Sequence, residues 1–237
     1  MYWKSAILLF LIQWYCDAKF TSFMASFQSL GHWSKHELLE YKDQLPELKA
    51  FTVCHWEKTQ FFSEQTNTIW AYCKQNSDND LTMSCIETFY YTPDATGNIV
   101  FTLYRSSWGK KKLNIYKNFT RIPYLHRKWN HFCLLYSTTS NTMKLYHNGL
   151  KLQTVALEEN RNDGQHTIPE STASYDSAFT IGQEPDSMRG SFDKSQAFPG
   201  DVSELNIWDH ILDDIEISRL SDCTHQRNVS ASCRLDL

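Results

Sequence analysis

The chain has 237 residues, 41% of them hydrophobic, and 23 basic against 27 acidic side chains leave a formal charge of −4. That length and apolar content suffice for one large domain with a substantial core, a size all-β domains can reach. So mild a charge is not that of a nucleic-acid binder or a general binder of anionic surfaces, and Lys110-Lys111-Lys112 reads as a solvated turn rather than a polyanion patch.

The first residues have the pattern of an export signal. Lys4 supplies a positive flank, Ala6–Ile12 a short apolar core, and Cys16-Asp17-Ala18 small residues for cleavage after Ala18. The apolar run is too short to span a bilayer, and no later run comes close. Residues 1–18 are therefore expected to be removed and the remainder to be secreted and extracellular. Of the seven cysteines Cys16 falls in the signal, leaving Cys54, Cys73, Cys85, Cys133, Cys223 and Cys233. An even number in an exported chain favours a disulfide framework over free thiols. The sequons Asn118-Phe119-Thr120 and Asn228-Val229-Ser230 agree with this address as glycosylation candidates.

Along the chain, short apolar or alternating runs are separated by polar turns, the pattern of an all-β domain without internal repeats. Strands are predicted at Phe51–His55, Ile99–Tyr104, His131–Tyr136, Met143–Tyr146, Phe179–Ile181 and Val202–Trp208. Asn148-Gly149, between Lys144-Leu145-Tyr146 and Lys151-Leu152, predicts a two-residue hairpin. Pro123, Pro169 and Pro199 fall at or between runs and interrupt no central ladder. One helix is predicted over Asp213–Leu220: Asp213 caps it, Glu216 occupies the capping-box position, and Ile217 and Leu220 share a face. Strands at this spacing, without alternating helices, imply two packed antiparallel sheets with one short helix laid on them.

Ile181–Asp201 gathers Glu184, Asp186, Asp193 and Gln196 into one turn-rich segment with glycines at Gly182, Gly190 and Gly200. Calcium takes about six to eight oxygen ligands, which a dense oxygen cluster on a tight loop can supply. Taken by itself, an acidic loop is more often simply solvated.

Nine histidines invite a search for catalysis. His131 and Cys133 lie two apart on a predicted strand and so share a face, which would suit a metal pair. The better reading makes Cys133 a disulfide partner with His131 packed beside it. No HExxH, CxxC or nucleophile-elbow pattern occurs. Glu37 with Glu40, Glu158-Glu159 and Asp213-Asp214 are not placed across a substrate as a glycosidase pair must be. The chain is not expected to be an enzyme.

Leu48–Cys54 (LKAFTVC) resembles the strand carrying the first cysteine of the pentraxin family. His131-Phe132-Cys133 followed by Tyr136-Ser137-Thr138 resembles its second-cysteine signature, with Leu135 where Ser or Thr is usual and Tyr136 in place of Trp. Ile181–Asp201 resembles the family's calcium segment, and Val202–Trp208 the strand after it. The matches keep the family's order over most of the chain.

The resemblance implies a two-sheet antiparallel jelly-roll β-sandwich of the concanavalin A/laminin-G-like type, formed by residues 19–222 and closed by a Cys54–Cys133 disulfide. It also implies two calcium ions. Glu184 and Asp186 match the carboxylates touching both ions, Asp193 and Gln196 match ligands of the second, and Pro185 would offer its carbonyl. Asp78 and Asn79 stand where an Asp-Asn pair would complete the first. Cys73 and Cys85 flank that pair, and a disulfide between them would close and pre-organise its loop. Cys223 and Cys233 would then pair locally and pin a tail at 223–237, whose Arg227-Asn228-Val229 resembles the start of the family's last strand. The sequence leaves other pairings open.

These features imply a secreted, calcium-dependent, lectin-like recognition protein whose ions hold phosphate, carboxylate or sugar oxygens on cell surfaces or matrix, as in innate immune recognition. The family further implies a homo-oligomer, a pentamer by resemblance. From Asp80 to Arg105 the chain departs from the family's pattern, so no particular ligand is implied. The alternative is an adhesion or extracellular-matrix module of laminin-G-like type, or a fragment of a receptor ectodomain, working through a protein interface.

Overall fold

The computed structural model describes residues 24–28, 34–41, 48–59, 61–62, 66–75, 83–107, 113–140, 142–156 and 176–222. Twelve strands lie among them: β1 (Met24–Ser26), β2 (Leu39–Tyr41), β3 (Ala50–Thr59), β4 (Thr66–Gln75), β5 (Met83–Tyr91), β6 (Asn98–Ser107), β7 (Leu113–Pro123), β8 (Asn130–Ser137), β9 (Thr142–His147), β10 (Leu150–Ala156), β11 (Ser177–Ile181) and β12 (Gly200–Trp208). One helix, α1, spans Asp214–Leu220. The first sheet has the order β1-β12-β3-β8-β9-β10 and the second β2-β11-β4-β5-β6-β7. Every strand pairing among the described residues is antiparallel.

The two sheets bury one apolar interior. Phe51 and Val53 of β3 meet Trp70 and Tyr72 of β4, Phe132 and Leu134 of β8, and Phe179 of β11. Trp70 stacks on Phe179 with ring centroids 5.6 Å apart, and Phe101 stacks on Phe132 at 5.3 Å. Successive strand residues point to opposite faces, so Cys54 and Cys133 fall on the outer face of the first sheet. They pair in register and form a disulfide, as the resemblance implied.

That outer face is roofed by α1. Ile217 and Leu212 pack with the disulfide, Leu135 and Tyr146, and Leu220 lies against the same cluster. The helix starts as the sequence predicts. The Asp213 carboxylate accepts from the Glu216 amide at 2.7 Å, and the Glu216 carboxylate accepts from the Asp213 amide at 2.9 Å. The Asn148-Gly149 hairpin also forms, with φ of +48° and +79°, the doubly positive pair of a type I′ turn. Asn148 Oδ1 accepts from the His131 amide at 2.8 Å, which locks the turn onto β8.

All six predicted strands lie inside observed ones. The sequence did not announce β1, β2, β4, β5 and β7. In β4 every residue from Asn67 to Lys74 is buried, because its outer face is covered as well as its inner one, and the polar alternation that marks a half-buried strand is lost. Pro123 closes β7, an edge strand, and Pro199 precedes β12, its carbonyl accepting from Thr59 Oγ1 at 2.6 Å; Pro169 lies outside the described residues.

One end of the interior is polar. His55 and Glu57 continue the inward face of β3, with His55 Nε2 2.9 Å from Glu57 Oε2 and both side chains buried. His55 stacks on Phe132 at 6.1 Å, and Tyr90 and Tyr124 adjoin, their hydroxyls 3.5 Å apart. Burial holds both phenols well above their ordinary pKa.

Two tests follow from this architecture. Burial, reinforced by His55 and His147, lowers the pKa of His131 to about 3, and burial lowers that of His147 to about 4. Unfolded, each imidazole titrates at about 6.5, so the unfolded chain binds more protons as pH falls below that value. The contribution of these two histidines to stability is therefore full above about pH 6.5 and declines toward pH 4, by up to ~1.4 kcal/mol per pH unit for each group. Denaturant titrations across that range should give pH slopes that differ between wild type and His131→Asn by one proton's share; an equal slope in the variant would refute the assignment. The second test concerns Gly182, which has φ of +90° and whose added Cβ would lie 2.8 Å from the Phe27 ring. Gly182→Ala should cost at least ~1–2 kcal/mol, read as a lower unfolding midpoint.

Candidate metal centre

The chain leaves the second sheet at the end of β11 and re-enters the first at β12, and the intervening loop lies on the outer face of β4 and β5. Its base is closed by backbone hydrogen bonds: the Gly182 amide donates to Ile69 at 2.9 Å and the Phe198 amide to Gly182 at 3.0 Å. Ala197 forms an isolated bridge with Thr68. Gln183, fully buried, donates to the Ser34 carbonyl at 2.9 Å. Further out, Ser187 and Gly190 exchange backbone hydrogen bonds around a tight turn with Arg189 at φ +59°. The Arg189 guanidinium is 2.6 Å from Asp176 and 3.5 Å from Glu40, tying the turn to the second sheet.

Beneath the loop Cys73 of β4 and Cys85 of β5 stand opposite one another and form a disulfide. Ala71, Met83 and the disulfide make a small apolar floor against which Met188 packs. The pairing expected from the sequence is thus present; Asp78 and Asn79, between those strands, lie outside the described residues. Cys223, Cys233 and Asn228 also lie outside them. Asn118 is exposed on β7, its Oδ1 accepting from Thr102 at 2.9 Å.

Glu184, Asp186 and Asp193 lie near enough for their charges to act on one another, and the residues singled out in the sequence sit at graded depth. Glu184 is half-buried, Asp186 and Asp193 are exposed, Gln196 is half-buried and Pro185 buried. Asp193 caps the short 3-10 turn Lys194–Gln196, accepting from the Ser195 amide at 2.9 Å, which lowers its pKa. Burial and then the Asp193 charge raise Asp186. Burial first, and the Asp186 charge next, push Glu184 up to about 7.

Below them lies an acid that the sequence reading did not select. Glu87 of β5 is 2% exposed and shares the face of Cys85, two residues earlier. It is hydrogen-bonded to Glu184, and burial, then Glu184 and Asp186, hold its carboxyl well above the ordinary range. One oxygen on each of Glu87 and Glu184 is buried without a hydrogen-bond partner. The signal available beforehand was the spacing Cys85-x-Glu87, which puts an acid on the disulfide's face in the apolar run Met83–Tyr91.

Among the described residues, the groupings of three or more His, Cys, Asp or Glu whose ligand atoms lie within 4.8 Å of one another are Cys54 and Cys133 with His131, and Cys73 and Cys85 with Glu87. In both the sulfurs are spent in disulfides. His131 lies 3.8 Å from the Cys133 sulfur and packs beside Trp56 at 5.0 Å between ring centroids.

Comparison with known proteins gives a consistent answer. The Pentaxin family's sequence model matches residues 31–232. Neuronal pentraxin-2 of Cavia porcellus is 27% identical over 187 residues, covering 77% of this chain and 36% of the relative. Neuronal pentraxin receptor of Rattus norvegicus is 24% identical over 182 residues, covering 76% of this chain and 31% of the relative. The chain thus spans about a third of the length of these curated relatives. In structure it is similar to the heptameric SAP-like pentraxin of Limulus polyphemus, with a TM-score of 0.59, 24% identity and coverage of 89% and 85% of the two chains. With the family's sequence model running over most of its length and the same two-sheet sandwich beneath, the chain belongs to the pentraxin family.

Proposed function

We propose that this chain is a secreted recognition domain that binds calcium and, through it, anionic or saccharide ligands on cell surfaces or matrix. The carrying observation is the unbalanced charge of the loop and its floor. Among the described residues, the charged groups acting on Glu87 and Glu184 are all acidic. Buried carboxylates are normally paired with a cationic side chain or a metal. The oxygen-rich donor set suits a hard cation such as calcium.

Glu184 and Asp186 are assigned to both of two ions, Asp193 and Gln196 to the second, and the Pro185 carbonyl to the set, with Asp78 and Asn79 completing the first. When bound, calcium supplies a positive charge that draws in phosphate, carboxylate or sugar oxygens. The side chains hold their own oxygens in place: Ser195 orients Asp193, and the closed base at Gly182 and Phe198 fixes where Glu184 begins. Glycosylation at Asn118 fits its exposure, and assembly into a homo-oligomeric ring fits the family. We assign no catalytic step.

Among the described residues no helix is long and apolar enough to cross a membrane. The similarity to a neuronal pentraxin receptor, most of whose length lies outside the match, favours a second reading as an adhesion or receptor ectodomain module. Retention on phosphate or saccharide resins should disappear with a chelator; binding that survives chelation supports the second reading.

Calcium at a hundred times its Kd should stabilise the fold by ~2.7 kcal/mol per site. Asp186→Ala should abolish that gain while leaving the metal-free midpoint unchanged or higher, since a repelling carboxylate has been removed. A wild-type midpoint indifferent to millimolar calcium would overturn the reading.

A further inference from the structure

Glu87 reaches the carboxylate cluster from below, on a strand rather than on the loop that carries Glu184, Asp186 and Asp193. Its side chain is 2% exposed, and its Oε2 is buried without a hydrogen-bond partner. Glu184 Oε2 is in the same condition, and the two carboxyls touch through a side-chain hydrogen bond. Asp186 is close enough to act on both. The rigid surroundings of Glu87 place it there. Cys85 two residues before is locked to Cys73, the backbone pairs with Ala71 on one side and Tyr104 on the other, and Met188 closes over the floor.

We propose that Glu87 is a direct ligand of a calcium ion held by Glu184, a strand-borne carboxylate beneath a loop-borne set. This rests on the calcium reading above and adds to it a residue outside the loop. Oxygens bound to one calcium at about 2.3–2.6 Å lie roughly 3 Å from their neighbours on the coordination sphere. Carboxyl oxygens in hydrogen-bond contact have nearly that spacing, so a cation bound by Glu184 needs little movement of Glu87 to be bound by it as well. The partnerless oxygens then gain a partner, and the like charges of Glu87, Glu184 and Asp186 gain a counter-charge. A ligand fixed on a cross-linked strand also limits the ordering that binding must impose on the loop.

Calorimetric calcium titration of the folded chain tests this. Wild-type protein should bind calcium, and Glu87→Gln, nearly the same in shape but uncharged, should weaken one site about tenfold or more. Terbium bound at that site should carry about one more water in Glu87→Ala than in wild type, read from luminescence lifetimes in light and heavy water, because an inner-sphere oxygen has been lost. Glu87→Gln binding within twofold of wild type, or an unchanged terbium hydration number, overturns the proposal. If Glu87→Gln does not fold, Glu87→Asp decides: it keeps the charge but withdraws the oxygens by one methylene, and wild-type affinity in that variant is equally fatal. Failure of wild-type protein to bind calcium sinks the broader reading instead, so the two failures are distinct.

Discussion

Glu87 and Glu184 share a hydrogen bond in a place largely closed to water, and two carboxyls so placed cannot both carry charge without a cation beside them. Much of the surrounding architecture keeps that contact in place. The disulfide and Met188 make a dry floor. Gly182 lets the backbone turn through a positive φ with Phe27 packed against it. Arg189 fastens the far side of the loop to Asp176 and Glu40, so the one guanidinium on that turn serves as an anchor at its edge.

The first sheet is organised on another principle. Its outer face carries Cys54–Cys133 under a capped helix, so the cross-link lies in an apolar cluster with Leu212 and Ile217. Its inner face admits His55 and Glu57, which meet each other within the sandwich. A buried, hydrogen-bonded polar pair specifies packing more than it adds stability. The two sheets thus divide the tasks: the first closes the domain, and the second presents the acids.

Local chemistry was easy to read from the chain. The capping box of Asp213 and Glu216 and the Asn148-Gly149 turn each depend on neighbours a few residues away, and each formed. The acids of Ile181–Asp201 were legible for the same reason. The strands β4 and β5 were not, since what hides their outer face is a loop from about a hundred residues later in the chain. Glu87 was lost with them: a lone acid in an apolar strand gains its meaning only when Glu184 is laid on top. The sequence marks His55 only as the end of a predicted strand and does not single out Glu57, because an inward-facing polar pair contradicts the alternation by which strands are recognised.

The strand order of the first sheet has a consequence for how the protein is made. β3 lies between β8 and β12, and among the described residues β1 pairs only with β12. At ribosomal speeds, on the order of ten seconds separate the synthesis of β3 from that of β12. Throughout that interval Phe51, Val53 and the polar pair beyond them lack one flanking strand, and the nascent sheet has an open edge. Pairing of such distant segments is slow as well as late. The sandwich is therefore completed only once β12 has been made, and the stretch from β3 to β11 must be kept from foreign strands until β12 arrives.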